Sequence, residues 1–207
     1  MSSPSIGIYI AASLALIATP GQDMVYVITR SLAQGRFAGV CSALGVCLGI
    51  LVHTALAALG VGAILQASEA LFVMLKLAGA AYLVYLGLRM IARYTAPIET
   101  ATRTRLSPLS LVWQGVLSNV TNPKIVLFFF AFLPQFVDPA SAHSTRDLVL
   151  LGVLYAAMAL PVKIAVGIAA GTLSQRMLRS GRALVWVNRV SGGVLVALGI
   201  RLAWAQR

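Results

Sequence analysis

From Ala38 to Leu65 the chain runs without one Asp, Glu, Lys or Arg. A helix that crosses the hydrocarbon layer of a bilayer needs about 20 predominantly apolar residues, and ~18 without charge already marks a candidate. Hydropathy places six such spans. Span 1 covers Ile6–Thr29, span 2 Ala38–Leu65 and span 3 Ala70–Ile91. Span 4 covers Leu109–Phe132, span 5 Leu148–Leu173 and span 6 Leu184–Trp204. Charged residues make up only 10% of the chain, against ~25% in an ordinary globular domain. A transmembrane barrel would show alternating segments of ~10 residues, and none appear. The expected class is an all-α membrane protein embedded in a lipid bilayer.

The formal charge of +11 would point to nucleic acid in a soluble protein. Here the basic residues cluster in the short connections, which excludes nucleic acid as the expected partner. Arg30, Arg36, Arg89, Arg93, Arg103, Arg105, Arg176, Arg179 and Arg182 flank the 1–2, 3–4 and 5–6 connections, whereas the opposite side holds Arg146, Arg201 and Arg207. Arginine-rich loops stay in the cytoplasm, so both termini are expected to face the periplasm of a bacterial inner membrane. No Lys or Arg precedes Arg30, so the charged start of a signal peptide is missing and the first apolar run reads as a retained helix.

The polar stretch Tyr94–Ser107 divides the spans into two triplets: residues 1–93, a cytoplasmic linker at 94–108, and residues 109–207. The halves resemble each other. LIATPG (Leu16–Gly21) matches NVTNPK (Asn119–Lys124), and YLGLR (Tyr85–Arg89) matches ALGIR (Ala197–Arg201). Three spans is an odd number, so a repeated triplet sits upside down relative to the first. Inverted repeats with corresponding proline-interrupted helices are a mark of secondary transporters, whose sites lie near the midplane. The interrupted spans are 1 and 4, broken near Pro20 and Pro123.

Proline removes a backbone donor, and in hydrocarbon the carbonyl it frees needs another partner. A break is tolerated where it lines a cavity, and it presents helix ends of both signs. An amino-acid zwitterion carries one charge of each sign and matches both ends. Two charges stand beside the breaks. Asp23 follows Pro20-Gly21 and Lys124 follows Pro123. Each costs ~2.5–3.5 kcal/mol or more in mid-membrane without a partner. They could pair directly, or contact the ammonium and carboxylate of a substrate. Thr19, Pro20, Gly21 and Gln22 line the first break. In span 4, Gln114, Ser118 and Asn122 are spaced as one helical stripe beside Asn119, a face expected to point into the bundle.

His53 shares a small-residue face of span 2 with Gly49 and Gly60, where it is suited to relay protons. Lys163 follows Pro161 in span 5, on a face with Ala159 and Gly167, and is a secondary candidate. Lys76 is placed to snorkel outward. Trp113, Trp186, Trp204 and Tyr94 fall near span ends, where aromatic belts lie. Glu69 falls in the outer 2–3 turn and Glu99 in the inner linker, both expected to be solvated. Gly79, Ala80, Gly192 and Gly193 read as close helix packing that permits a homodimer. Cys41 and Cys47 are about 240° apart around one helix at ~100° per residue, which argues against a disulfide or a metal pair. No phosphate loop, HExxH, CxxC or pair of intramembrane acids occurs. An enzyme, a resident cofactor and a bound metal are therefore not expected. The remaining energy source is an ion gradient, most simply protons, with Asp23 the first carrier and His53 the second.

Three blocks carry a resemblance: TPGQDMVYVITRSLAQGRFAGVCSALGVCLGILVHTALAALG, FVMLKLAGAAYLVYLGLRM and NVTNPKIVLFFFAFLPQFV. Together and in this order they resemble the LysE/RhtB amino-acid exporters over most of the chain. The resemblance implies a bacterial inner-membrane protein of six helices in two inverted triplets that exports amino acids by proton-driven antiport. The substrates it implies are of the class of lysine, arginine, threonine, homoserine or cysteine. The family's proline-glycine-proline stretch reads Pro20-Gly21-Gln22 here. The expectation is thus a secondary exporter of amino acids or related small metabolites. The alternative is a metal or cation exporter of a related six-helix fold, which would want clustered His, Cys or acids.

Overall fold

In the computed structural model the chain is helical apart from short breaks and connections over the residues it describes, which are 3–67, 69–92, 105–138, 141, 143–172 and 181–204. In chain order the helices are α1 (Ser3–Ala18), α2 (Gln22–Gln34), α3 (Arg36–Ala67), α4 (Glu69–Ala92), α5 (Pro108–Val120), α6 (Pro123–Leu127), α7 (Ser144–Thr172) and α8 (Gly181–Trp204). A π-helical turn, Phe128–Phe132, and a 3-10 turn, Leu133–Phe136, continue α6. Arg93, Tyr94, Glu99, Arg103, Arg176, Arg179, Arg207 and most of the 94–108 linker lie outside the described residues.

Arg36–Gly60 of α3 and Ser144–Thr172 of α7 are each long and apolar enough to cross a bilayer. Two bent pairs qualify when each is taken as one span. Ile6–Ala18 and Gln22–Gln34 meet at 45°, and Pro108–Val120 and Pro123–Phe136 at 54°. Both predicted interruptions are therefore present. α4 and α8 occupy the places of spans 3 and 6 and pack extensively against each other, while α3 packs on α7 and α5.

The local reasons are visible in the sequence. α1 stops where Pro20 cannot donate, and its last turn closes with Thr19 N–H on the Ala15 and Leu16 carbonyls at 3.1 and 3.2 Å. α5 opens on Pro108 after the Ser107 cap, whose hydroxyl accepts from Ser110 N–H at 3.2 Å. α6 repeats that opening, with Pro123 first and the Asn122 side chain accepting from Lys124 N–H at 3.1 Å. Proline is favoured at such a first position because its missing donor would be orphaned anyway. Downstream, Pro134 withdraws the donor that Phe130 would have used, and the helix there widens to a π turn before tightening to 3-10.

Glycine lets the helices approach. A Cβ on Gly167 of α7 would sit 2.9 Å from the Gly39 carbonyl carbon of α3, and one on Gly192 of α8 would sit 2.6 Å from the Gly87 carbonyl oxygen of α4. The core beside the breaks is aromatic. Tyr9, Phe128, Phe129, Phe132 and Tyr155 are buried, with Phe128 and Tyr155 centroids 4.8 Å apart and Phe136 seated 5.3 Å from Tyr9. The Tyr9 hydroxyl donates to the Leu151 carbonyl at 2.7 Å, tying α1 to α7. Cys41 and Cys47 are both free and buried. Trp113 and Trp204 are exposed, as a belt requires.

Candidate functional site

The two breaks touch. Pro20 leaves the Leu16 carbonyl, four residues back, without its helical donor. Lys124, from the second break, takes that place. Its Nζ donates to the Leu16 carbonyl at 3.2 Å and to the Thr19 carbonyl at 3.0 Å. Pro123 does the same to the Asn119 carbonyl, which accepts instead from Asn122 N–H at 2.9 Å and from His53 of α3, whose Nε2 lies 3.2 Å away. A carbonyl can only accept, so this contact places a proton on Nε2. The ring stacks on Phe129 at 5.8 Å between centroids.

Helix-end electrostatics favour the charges where they stand. Asp23 lies in the first turn of α2, at its positive end. The Lys124 ammonium sits on the negative end of α1. Asp23 is then doubly held: Oδ2 is 2.9 Å from Lys163 Nζ, and Oδ1 accepts from Asn122 Nδ2 at 3.2 Å. Asn122 thus joins both breaks, because its own Oδ1 caps α6. Asp23, Lys124, Lys163, Asn119 and Asn122 are each at most 2% exposed. In this conformation the cluster is closed to both sides.

The direct Asp23–Lys124 pair that the sequence allowed is replaced by Asp23–Lys163. Lys124 has the freed carbonyls of α1 in reach. Lys163 rises from the buried Ala159–Lys163–Gly167 face of α7, which packs on α2. The Gln114–Ser118–Asn122 stripe also changes meaning. It presumed one continuous helix, but α5 ends at Val120 and Asn122 belongs to the cap of α6. Gln114 is drawn elsewhere and accepts from Arg30 Nη2 at 3.1 Å. Ser118 is half-buried on α5, and among the described residues no hydrogen bond joins it to the charged cluster.

At the first break, Thr19 is buried with its hydroxyl on the Ala15 carbonyl at 2.7 Å. Pro20 and Gly21 are half-buried. A side chain on Gly21 would start 3.0 Å from Lys124 Nζ, so the lysine would have to shift slightly to make room for it. Gln22 is exposed and donates across the breaks to Thr121 Oγ1 at 3.2 Å. Thr121 was not singled out in the sequence, and its place beside Asn122 was the available signal. Asn119 is the most telling residue. Its carbonyl is used, but its side-chain Oδ1 and Nδ2 are buried without a partner among the described residues, as is His53 Nδ1. Such groups are costly unless something pairs with them. Among the described residues no three His, Cys, Asp or Glu gather as a metal site would need.

The LysE type translocator profile matches residues 14–206. The chain belongs to the LysE-type translocator family. A homoserine/homoserine lactone efflux protein of Salmonella typhimurium is 30% identical over 202 residues, covering 96% of this chain and 95% of the relative. A leucine efflux protein of Salmonella choleraesuis is 29% identical over 137 residues, 66% of this chain and 65% of the relative. A membrane protein of Vibrio cholerae is 32% identical over 199 residues, 96% of each chain. No solved structure matches significantly. This LysE-type translocator is accordingly a helical membrane transporter whose named relatives move small solutes outward. None of them is named as an enzyme.

Proposed function

We propose that this LysE-type translocator exports an amino acid, or a small metabolite with an amino group, across the bacterial inner membrane in exchange for protons. The observation that carries the reading is the buried set of one acid and two lysines at the meeting of two helix breaks. One cation is in excess there, which favours a ligand carboxylate. Asp23 is the natural seat of an ammonium. Lys124 and the amides of Asn119 and Asn122 would take the carboxylate once the cluster opens, and the two unpartnered Asn119 atoms supply a donor and an acceptor. Thr19, Pro20 and Gly21 shape the wall of the first break, and Pro123 that of the second.

The two solutes in the name of the Salmonella typhimurium relative share an amine, and only homoserine has a free carboxylate. The contact with Asp23 is then the common element of recognition, and the carboxylate side sets preference among amines. We place the architecture as six spans in two inverted triplets, with both termini periplasmic. The pairing of the broken spans with each other, of α3 with α7 and of α4 with α8 supports the repeat, and the arginine-rich connections support the orientation.

The test is an efflux assay in bacteria expressing the chain and loaded with dipeptides containing homoserine, leucine, threonine or lysine. Faster appearance of one free amino acid outside, abolished in Asp23→Asn, is the expected result. Export of a divalent metal with no amino acid leaving would refute it.

A further inference from the structure

The two buried lysines are held differently. Lys124 is held by the Leu16 and Thr19 carbonyls, which belong to the break itself. Lys163 Nζ meets Asp23 Oδ2 at 2.9 Å and has no other hydrogen-bond partner among the described residues. Resting on the reading that a substrate ammonium seats on Asp23, we propose that Lys163 is the proton carrier of the exchange. The incoming ammonium displaces Lys163 from Asp23, and Lys163 releases one proton to water.

The step balances. One N–H bond of the Lys163 ammonium breaks, its electron pair stays on Nζ, and the proton leaves to water on the side facing the open site. The substrate keeps its own ammonium throughout, and nothing is oxidised or reduced. A buried ammonium stripped of its counter-ion sheds its proton rather than remain charged in a low dielectric. The other charged or titratable groups around the pair are Lys124 from α6, Cys47 from α3 and Tyr155 of α7 itself. His53 is engaged with the Asn119 carbonyl. Asp23 is the only buried carboxylate among the described residues, so no second acid is at hand to receive the displaced cation. Protonating Asp23 instead would leave two lysines uncompensated. Releasing the Lys163 proton leaves Asp23, Lys124 and a zwitterion in charge balance. Substrate release on the far side reopens Asp23, Lys163 takes a proton there, and the pair closes again. An inward proton gradient then drives outward transport.

The experiment uses the full chain in detergent, weakly buffered near neutrality, with homoserine and leucine as probes. Binding of either is expected to release about one proton per molecule bound. In Lys163→Gln the release should vanish. In proteoliposomes the same variant should lose all acceleration by a pH gradient, while homoserine–homoserine exchange at equal pH falls by no more than about tenfold. Lys163→Arg, which cannot give up its proton, should weaken homoserine binding by about a hundredfold. Binding without proton release in the unmodified protein overturns the proposal, and that measurement needs no variant to fold. Gradient-driven transport surviving in Lys163→Gln overturns it too. If neither probe binds or moves, the exporter reading itself fails, and this inference with it.

Discussion

Lys124 occupies the hydrogen-bonding place that Pro20 vacates on Leu16, reaching the carbonyl from a break in the other half of the chain at 3.2 Å. The lysine is thus a structural member of the first break as well as a charge in the site. Replacing it by Met should leave the Thr19 carbonyl unpaired and the Leu16 carbonyl with only its Thr19 N–H contact at 3.2 Å. Hydrogen bonds to a charged donor contribute about 1.5–3 kcal/mol each, so the loss should fall in the range of ~2–5 kcal/mol. Thermal unfolding in detergent would read this as a clear fall in Tm, accompanied by loss of efflux. Unchanged Tm would show that the carbonyls find other partners.

Asp23 is the one carboxylate shared by two buried lysines, of which Lys163 is in direct contact. Asp23→Asn leaves both cations without a carboxylate, and breaking a buried pair in this way costs about 3–5 kcal/mol. Combining it with Lys163→Gln removes one unpaired charge and should recover at least ~1 kcal/mol of that loss by mutual coupling. Efflux should remain absent in the double variant, because the seat for the ammonium is gone. Additive stabilities in the double-mutant cycle would contradict the pairing.

His53 satisfies the Asn119 carbonyl that Pro123 frees. His53→Leu should destabilise by about 0.5–1.5 kcal/mol, the usual net contribution of one hydrogen bond, because Asn122 N–H still donates to that carbonyl at 2.9 Å. His53→Gln, which retains a donor, should lose less. Pro123→Ala restores a backbone N–H near Asn119, so His53→Leu is expected to matter less in that background. Denaturation of the four proteins tests this directly, and equal losses in both backgrounds would rule it out.

Pro20→Ala offers Leu16 a helical donor in competition with Lys124. The expected outcome is a straighter first span, stability equal to or above the original, and efflux reduced by at least about tenfold, since proline in a helix interior otherwise costs ~3 kcal/mol. Site-directed spin labels on α1 and α2 would report the angle, now 45°. Unaltered efflux with a straightened span would show that the bend is not needed.

Both bends, the burial of Asp23 and Lys124, and the close contacts at Gly79 and Gly192 were legible in the sequence, whereas Gly193, expected to pack closely as well, has no neighbour within 4 Å of where a side chain would start. Pro20 and Pro123 remove donors wherever they sit in a helix, and a charge in a long apolar run has to be sheltered. The choice of partner was not legible. Asp23 meets Lys163 because α7 lies against α2, a relation that no local pattern encodes. The stripe from Gln114 to Asn122 misled for a related reason: periodicity assumes one axis, and Pro123 gives the chain a second. The π turn at Phe128–Phe132 left no pattern in a run of aromatics that reads equally well as ordinary helix.

The bend at Gly21 makes α2 an arm. Its 13 residues span about 20 Å at 1.5 Å per residue. A tilt of about 10° at the hinge would carry the far end through ~3.5 Å, more than the diameter of a water molecule at that length of lever. A rearrangement too slight to disturb the packing around Asp23 would thus suffice to let solvent in at the Gln34 end.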